Sequence, residues 1–233
     1  MKFIEYLIWI LYPKRCAVCG KIIEKDASLC DECDKKLERV EENCSVCGSM
    51  KKHCECKRYV YRFSGLVASF YKAENSMKMI YRFKLHGKTD SLGFLADSVT
   101  DKINRYYKDI RFDIVTSVPM SKIKKFCKGF NHSELIAKAV AKRMGVEYKN
   151  LLNKKPFCRS QHNLKREERF ENVKDMFSSS NNVSYKKVLL IDDIKTTGAT
   201  LNECTKQLLF AKVEEVYCAT VITSVLGLGI EKE

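Results

Sequence analysis

Eight of the twelve cysteines lie in the first quarter of the chain, grouped in pairs at short spacing. Two residues separate the members of each of the first three pairs, and one residue separates those of the fourth. A two-residue gap lets both thiolates of a tight turn face one tetrahedral ion, and a second pair completes a four-sulfur site. We therefore predict two structural zinc ions with eight ligands: Cys16, Cys19, Cys30, Cys33, Cys44, Cys47, Cys54 and Cys56.

The grouping of these pairs is open at this stage. Consecutive pairs are the default, an interleaved grouping also fits, and His53 is a possible substitute for Cys54 or Cys56. Disulfides are the weaker alternative, because a chain of 233 residues does not need staples and would spread them through the domain. A complete four-sulfur shell leaves no open position, so we expect structural rather than catalytic metal.

The first residues of the chain raise the question of export or membrane insertion. The apolar run from Phe3 to Tyr12 is interrupted by Glu5, is too short to span a bilayer, and is followed by Pro13 rather than by a cleavage site. We predict a short amphipathic helix here, without a membrane span. Together with many free thiols, this leads us to expect a reducing, cytoplasmic location.

Beyond the cysteines, strand and helix patterns alternate as in a parallel α/β sheet. We predict a zinc module over residues 1–58 and an α/β domain over residues 59–233. Asn131 and Glu134 have the spacing of a helical capping box. The segment 156–183 is polar and is predicted to be irregular. The predicted strands cover 65–71, 112–119, 148–153, 188–192 and 216–223, and the predicted helices cover 74–86, 92–106, a segment after Asn131, and 199–210.

One segment carries the clearest chemistry: an apolar strand ending in Asp192 and Asp193, a turn through Gly198, and then a helix. Free N–H groups at a helix start bind anions, and a glycine lets a phosphate approach the backbone closely. The carboxylates suit vicinal hydroxyls or a hydrated Mg²⁺ nearby. A phosphate and a diol together describe a ribose 5-phosphate. The predicted binding residues are Asp192, Asp193, Lys195, Thr196, Thr197, Gly198, Ala199 and Thr200.

These residues resemble the signature of type I phosphoribosyltransferases, two apolar residues and two acids followed by Thr-Gly-Ala-Thr. The resemblance implies a type I phosphoribosyltransferase-like parallel sheet flanked by helices, with the cysteine-rich zinc ribbons at its N-terminus. It implies that the acids hold the ribose hydroxyls of phosphoribosyl pyrophosphate, with Mg²⁺, while the threonine turn binds the 5-phosphate. Ser121 and Lys122 follow the turn where the family binds pyrophosphate, and Arg159 is a further candidate.

A narrower resemblance covers nearly the whole chain. The segment from Lys128 to His132 is similar to the Arg-Gly-Phe-Asn-Gln motif of the competence protein ComF family, and residues 161–177 resemble its second motif. Lys128 and His132 stand where that family usually has arginine and glutamine. The resemblance implies a role in natural transformation, with single-stranded DNA and a DNA-translocating ATPase as partners.

The charge distribution independently favours anionic partners. The formal charge is +14, and residues 120–170 alone contribute +10. The candidate DNA contacts are Lys124, Lys125, Arg159, Lys165 and Arg166. A solvent-exposed basic helix is the alternative for part of this segment.

Three functions remain open from the sequence. The first is a DNA-uptake factor that binds single-stranded DNA and a phosphoribosyl pyrophosphate-type ligand. The second is an active Mg²⁺-dependent phosphoribosyltransferase that acts on a nucleobase, although no segment identifies a base-binding hood. The third is a sensor of a nucleotide precursor.

Overall fold

The fold is taken from a computed structural model of the chain. It describes residues 13–42, 44–51, 54, 56, 59–86, 90–156, 170, 173–179 and 183–224. The predicted N-terminal helix, His53, and the basic residues Arg159, Lys165 and Arg166 lie outside the described residues. In the part of the chain that the structure describes, no helix is long and apolar enough to cross a membrane.

The secondary structure consists of helices and strands in alternation after a cysteine-rich start. The helices are α1 (Asp31–Lys36), α2 (Glu74–His86), α3 (Asp90–Tyr106), α4 (Lys122–Lys128), α5 (His132–Met144) and α6 (Ala199–Phe210). The strands are β1 (Gly65–Tyr71), β2 (Ile114–Ser117), β3 (Leu152–Lys154), β4 (Phe177–Ser179), β5 (Lys187–Lys195) and β6 (Glu215–Thr223).

The main sheet has four parallel strands in the order β1-β6-β5-β2. Its strands are short runs of apolar residues buried on both faces, as expected when helices cover both sides of a parallel sheet. The predicted fold class, a parallel α/β sheet flanked by helices, is confirmed. Strand β1 and helices α2 and α6 have the predicted bounds. β3 and β4 form a separate antiparallel pair.

Several local predictions are wrong. The strands predicted over 112–119 and 148–153 are shorter or displaced, at Ile114–Ser117 and Leu152–Lys154. Residues 177–179 form β4 instead of an irregular segment, because they pair with β3. Strand β5 continues past Asp192 to Lys195, since it stays paired with β6 along that length. Asn131 does occupy the N-cap of α5, but no capping box forms: its side-chain amide donates instead to the carbonyl of Val118 at 2.9 Å.

Two apolar cores lie on the two faces of the main sheet. Helices α2, α3 and α5 pack on one face, where Ile80, Phe83 and Ile136 are buried with Ile191 of β5. Helix α6 packs on the other face through Leu201, Cys204 and Leu208. The carboxyl end of β5 therefore lies between helices of opposite faces.

The zinc-ligand region packs directly on the sheet. Ala17 and Val18 are buried in the same core as β1 residues. The outer edge of β1 is covered by residues 38–40, since the N–H of Val40 donates to the carbonyl of Ser69 at 2.9 Å. This covering satisfies polar groups that an edge strand would otherwise present for unwanted pairing. The predicted boundary between residues 58 and 59 stays a prediction.

Gly48, which follows Cys47 of the second cysteine group, packs closely against Leu66 of β1. Its φ is +67°, and a Cβ at this position would overlap Leu66 Cδ2. Gly145 has a similar φ of +66°, but nothing lies within 4 Å of its ideal Cβ. We expect Gly145→Ala to cost about 1–2 kcal/mol through backbone strain alone, and Gly48→Ala to cost a further 1–3 kcal/mol or so through overpacking. Chemical denaturation measures both, and equal losses would contradict the close packing.

Candidate metal centres and phosphate site

Two groups of four cysteines are formed by consecutive pairs, and within each group the Sγ atoms lie within 4.8 Å of one another. Sγ–Sγ distances include 3.7 Å between Cys19 and Cys30 and 3.6 Å between Cys44 and Cys56. Four sulfurs at about 2.3 Å from a tetrahedral zinc ion are about 3.8 Å apart, whereas a disulfide brings two sulfurs to about 2.05 Å. The residues present therefore fit two structural zinc ions. The default grouping is confirmed: Cys16, Cys19, Cys30 and Cys33 form one site, and Cys44, Cys47, Cys54 and Cys56 form the other.

The phosphate loop connects β5 to α6 through Thr196, Thr197 and Gly198. Gly198 is the N-cap of α6 and has a φ of +82°, a left-handed conformation that glycine adopts without strain. Gly198 has no side chain to cap this helix, and the Thr197 hydroxyl accepts from the Ala199 N–H at 3.3 Å. Amide groups of the first turn of α6 therefore face the loop, and the helix dipole favours an anion there. The geometry agrees with a phosphate cradle of the predicted kind.

An aromatic row lies against this loop. The Tyr61 hydroxyl donates to the carbonyl of Thr197 at 3.1 Å, and a Cβ on Gly198 would come within 3.0 Å of the Tyr61 ring. Tyr61 stacks on Phe63 with centroids 4.9 Å apart, and Tyr59 stacks on Phe170 at 5.0 Å. The loop backbone is therefore positioned by side chains from the segment between the second cysteine group and β1.

The acid pair at the end of β5 is held by side chains from α2 and α5. Asp192 is buried, and its Oδ1 accepts hydrogen bonds from the Ser133 hydroxyl at 2.8 Å and the Asp193 N–H at 2.9 Å. Burial, and then the neighbouring charge of Asp193, raise the pKa of Asp192 to about 7. Lys84 Nζ lies 2.6 Å from Asp193 Oδ2 and offsets its charge. The two neighbouring carboxylates are therefore each partnered by a different helix of the same face of the sheet.

Lys195 has an unexpected position for a predicted ligand-binding residue. Its side chain is only 1% exposed, and its ammonium group donates to Ser49 Oγ at 3.0 Å. Ser49 lies two residues after Cys47, and its carbonyl accepts from the Cys44 N–H at 2.8 Å. Lys195 therefore joins the strand that leads into the phosphate loop to the second cysteine group.

The remaining predicted contacts lie around the turn after β2. Ser121 caps α4 by accepting from the Lys124 N–H at 3.3 Å. Lys122 and Lys124 are exposed, while Lys125 forms an ion pair with Glu134 at 2.8 Å. The other predicted basic contacts, Arg159, Lys165 and Arg166, lie outside the described residues.

Sequence reasoning missed Lys84, Ser133, Ser49 and Tyr61 as parts of this site. In the sequence, the spacing of Met77, Ile80, Tyr81 and Lys84 indicates only a stripe along one face of a helix. A cation at the end of an otherwise apolar stripe is the one signal that could have marked it. The others are ordinary polar or aromatic residues whose role comes from long-range contacts.

The comparisons with known proteins agree with both parts of the chain. Residues 7–60 match the double zinc ribbon domain, and residues 131–226 match the phosphoribosyl transferase domain. The chain is 29% identical to competence protein ComFC of Streptococcus pneumoniae, over 87% of this chain and 96% of that one. It is 26% identical to competence protein F of Haemophilus influenzae, over 87% and 93%. DNA utilization protein YhgH of Salmonella typhimurium is 23% identical over 87% and 88%.

Among solved structures, a glutamine phosphoribosylpyrophosphate amidotransferase from B. subtilis aligns with a TM-score of 0.38 and 21% identity, over 55% of this chain and 25% of that one. This overlap is partial, and the fold assignment rests on the family match and the strand order. The chain is a phosphoribosyltransferase-fold protein with an N-terminal double zinc ribbon. It belongs to the ComF family of competence proteins, since both domains occur in order and the similarity extends over most of the chain.

The two cysteine groups generate a prediction about metal content. Elemental analysis of the purified chain should find two zinc ions, and Cys47→Ser should lower that number to one. Because structural zinc contributes folding energy directly, the variant should also lose stability in the ribbon. Cys127→Ser is a matched control, since that exposed cysteine lies outside both groups. A folded, metal-free wild-type protein would contradict the assignment.

Proposed function

We propose that this chain is a DNA-handling factor of the competence type, which binds single-stranded DNA and, in a separate pocket, a phosphoribosyl pyrophosphate-type ligand with Mg²⁺. Support for the first part comes from the relatives, which are named competence and DNA utilization proteins. The natural setting is the cytoplasm, beside a DNA-translocating ATPase that delivers the incoming strand. The acid pair and the start of α6 at the carboxyl end of β5 support the second part.

The proposal of a ligand site rests on one observation: within nine residues, an acid pair is followed by a helix start whose N-cap is Gly198. The α6 start with Gly198 accommodates the 5-phosphate, and Thr196, Thr197 and Thr200 add hydroxyl donors. Asp192 and Asp193 accept hydrogen bonds from the ribose hydroxyls. Mg²⁺ bound with the ligand would neutralise pyrophosphate charge, and carboxylate oxygens are ligands that this ion prefers.

The two faces of the sheet orient the ligand. Helix α6, with the phosphate loop, packs on one face, whereas Lys84 and Ser133 reach the acid pair from helices on the other face. A ribose whose 5-phosphate lies at α6 therefore directs its opposite end, with carbon 1, toward α2 and α5. Lys84 has ammonium protons beyond the one given to Asp193, and these can donate to pyrophosphate oxygens at that end.

Single-stranded DNA binding is supported by the location of the positive charge. Residues 120–170 carry a net charge of +10, close to the +10 or so expected for the entire zinc-loaded chain. The described part of this segment includes α4, which has four lysines and no acidic residue. Such a surface releases counterions when it contacts a phosphate backbone.

The pocket yields a prediction that distinguishes the two ends of the ligand. In titration calorimetry with Mg²⁺, Lys84→Gln should weaken phosphoribosyl pyrophosphate binding about ten- to a hundredfold, because a charge-assisted hydrogen bond is lost. Ribose 5-phosphate, which has no pyrophosphate, should lose much less. Asp193→Asn should weaken both ligands. Lys78→Gln, on the same helix but paired with Glu74 at the surface, is the matched control.

Three results would contradict parts of this proposal. A wild-type protein that binds neither ligand would exclude the pocket. Equal losses for both ligands in Lys84→Gln would mean that Lys84 acts only by positioning Asp193. Pyrophosphate release on addition of one nucleobase would replace the binding role with phosphoribosyl transfer, a displacement at carbon 1 that requires no protein nucleophile.

The DNA proposal predicts a steep salt dependence. Fluorescence anisotropy with labelled oligonucleotides should show similar affinities for unrelated sequences and a log–log slope of about −0.7 per phosphate contacted. Replacing Lys124, Lys165 and Arg166 with glutamine should flatten the slope by about two. The control replaces Lys108, Arg111 and Lys186, exposed residues before the amino ends of β2 and β5, and should leave the slope unchanged. Absence of binding at low salt would reject this part.

A further inference from the structure

Helix α4 stands out because every one of its seven residues is exposed. The side chain of Phe126 is 91% exposed and that of Ile123 is 70% exposed. Ile123, Phe126 and Cys127 are three and four residues apart, so they share one face of the helix. The helix therefore presents an apolar, aromatic face that nothing in the described part of the chain covers.

Lysines border this face on both sides. At 100° or so per residue, Lys122 flanks it on one side and Lys124 on the other, while Lys125 and Lys128 lie on the opposite side of the helix. Lys125 is paired with Glu134, whereas Lys122, Lys124 and Lys128 form no ion pair with any residue that the structure describes. An aromatic surface between unpaired cations is complementary to a polyanion that also offers flat apolar groups.

The position of α4 agrees with such a role. Ser121 caps its start, and Asn131, just beyond its end, is tied to Val118 at the carboxyl end of β2. The segment that follows α4 is thus tied to the edge of the sheet that carries the acid pair and the phosphate loop. The exposed face of α4 therefore lies close to the carboxyl end of β2.

We propose that α4 is a base-stacking element for single-stranded DNA, in which the Phe126 ring stacks on one unpaired base and the flanking lysines contact the neighbouring phosphates. This inference rests on the proposed DNA-binding function and names the residue that recognises unpaired bases. Bases in a duplex are already stacked and do not offer their faces, so the ring selects single strands.

Other occupants fit the observations less well. Membrane-surface helices bury a large apolar face, whereas α4 offers two large apolar side chains on about 10 Å of helix. Lysines are depleted in the centres of protein–protein interfaces, but here Lys122 and Lys124 border the apolar residues. The combination of charge complementarity and an aromatic ring favours single-stranded nucleic acid.

The test uses the full-length, zinc-loaded protein with two labelled oligonucleotides, one intact and one with abasic sites throughout. On the intact strand, Phe126→Ala should weaken binding about five- to a hundredfold, the range that base–aromatic stacking covers. The salt slope should stay the same, because no charge is removed. On the abasic strand, wild type and variant should bind equally. Phe126→Trp should retain affinity, and its fluorescence should be quenched by the intact strand.

Phe210→Ala is the matched control, since Phe210 is also largely exposed, at 72%, but lies at the far end of α6. Equal affinity of Phe126→Ala and wild type for the intact strand would overturn the proposal, as would equal losses on intact and abasic strands. A loss of anionic-vesicle binding or of self-association, without a loss on DNA, would assign the face to a membrane or a second copy instead. Failure of wild type to bind any strand would overturn the DNA-binding function itself.

Discussion

The ammonium group of Lys195 is buried between the zinc ribbon and the sheet, where it donates to Ser49. Burying such a group is costly unless partners replace its water, so the strand end and the ribbon have to be fitted together. The turn that holds Ser49 is in turn closed by the Cys44 N–H and belongs to the second cysteine group. Metal binding by that group thus stabilises Ser49, the hydrogen-bond partner of Lys195. Lys195 lies three residues before Gly198 of the phosphate loop. In this way the ribbon is a supporting element of the phosphate loop.

The acid pair near the end of β5 also depends on partners from distant parts of the chain. Two adjacent carboxylates repel each other, and burial raises the pKa of Asp192 to about 7. Lys84 and Ser133 come from helices on one face of the sheet and stabilise the pair, while the helix start for an anion lies on the other side. The acid pair and the helix start are therefore separate regions, as the proposed binding of a diol and a phosphate requires.

The proposed DNA surface differs from the pocket in its physical basis. The pocket depends on buried, well-partnered groups, whereas α4 is exposed along its entire length and carries lysines without acidic neighbours on the helix. Salt screens the attraction between exposed charges, but it does not screen the stacking of an aromatic ring on a base. The proposed surface combines both contributions, which is suited to single strands of any sequence.

Much of this architecture is determined by local sequence patterns. The spacing of the cysteines is sufficient to predict two four-sulfur sites. Strand β1 and helix α2 are predicted from short-range periodicity, and the start of α6 is predicted from Gly198. The acid pair and the turn through Gly198 are likewise contiguous in the chain. Local patterns failed where a side chain had a better distant partner, as when Asn131 bonds to Val118 instead of capping α5.

Only the tertiary structure decided which residues complete the site. Ser133 and Asp192 are 59 residues apart, Tyr61 and Thr197 are 136 apart, and Ser49 and Lys195 are 146 apart. Parallel strands bring such distant segments to one edge, and no local periodicity records which side chains will meet there. The exposure of Phe126 is a tertiary fact as well, because a helical pattern alone does not show whether another element covers its apolar face. The sequence therefore determined the metal sites and the phosphate loop, while long-range packing determined their connection and the free face of α4.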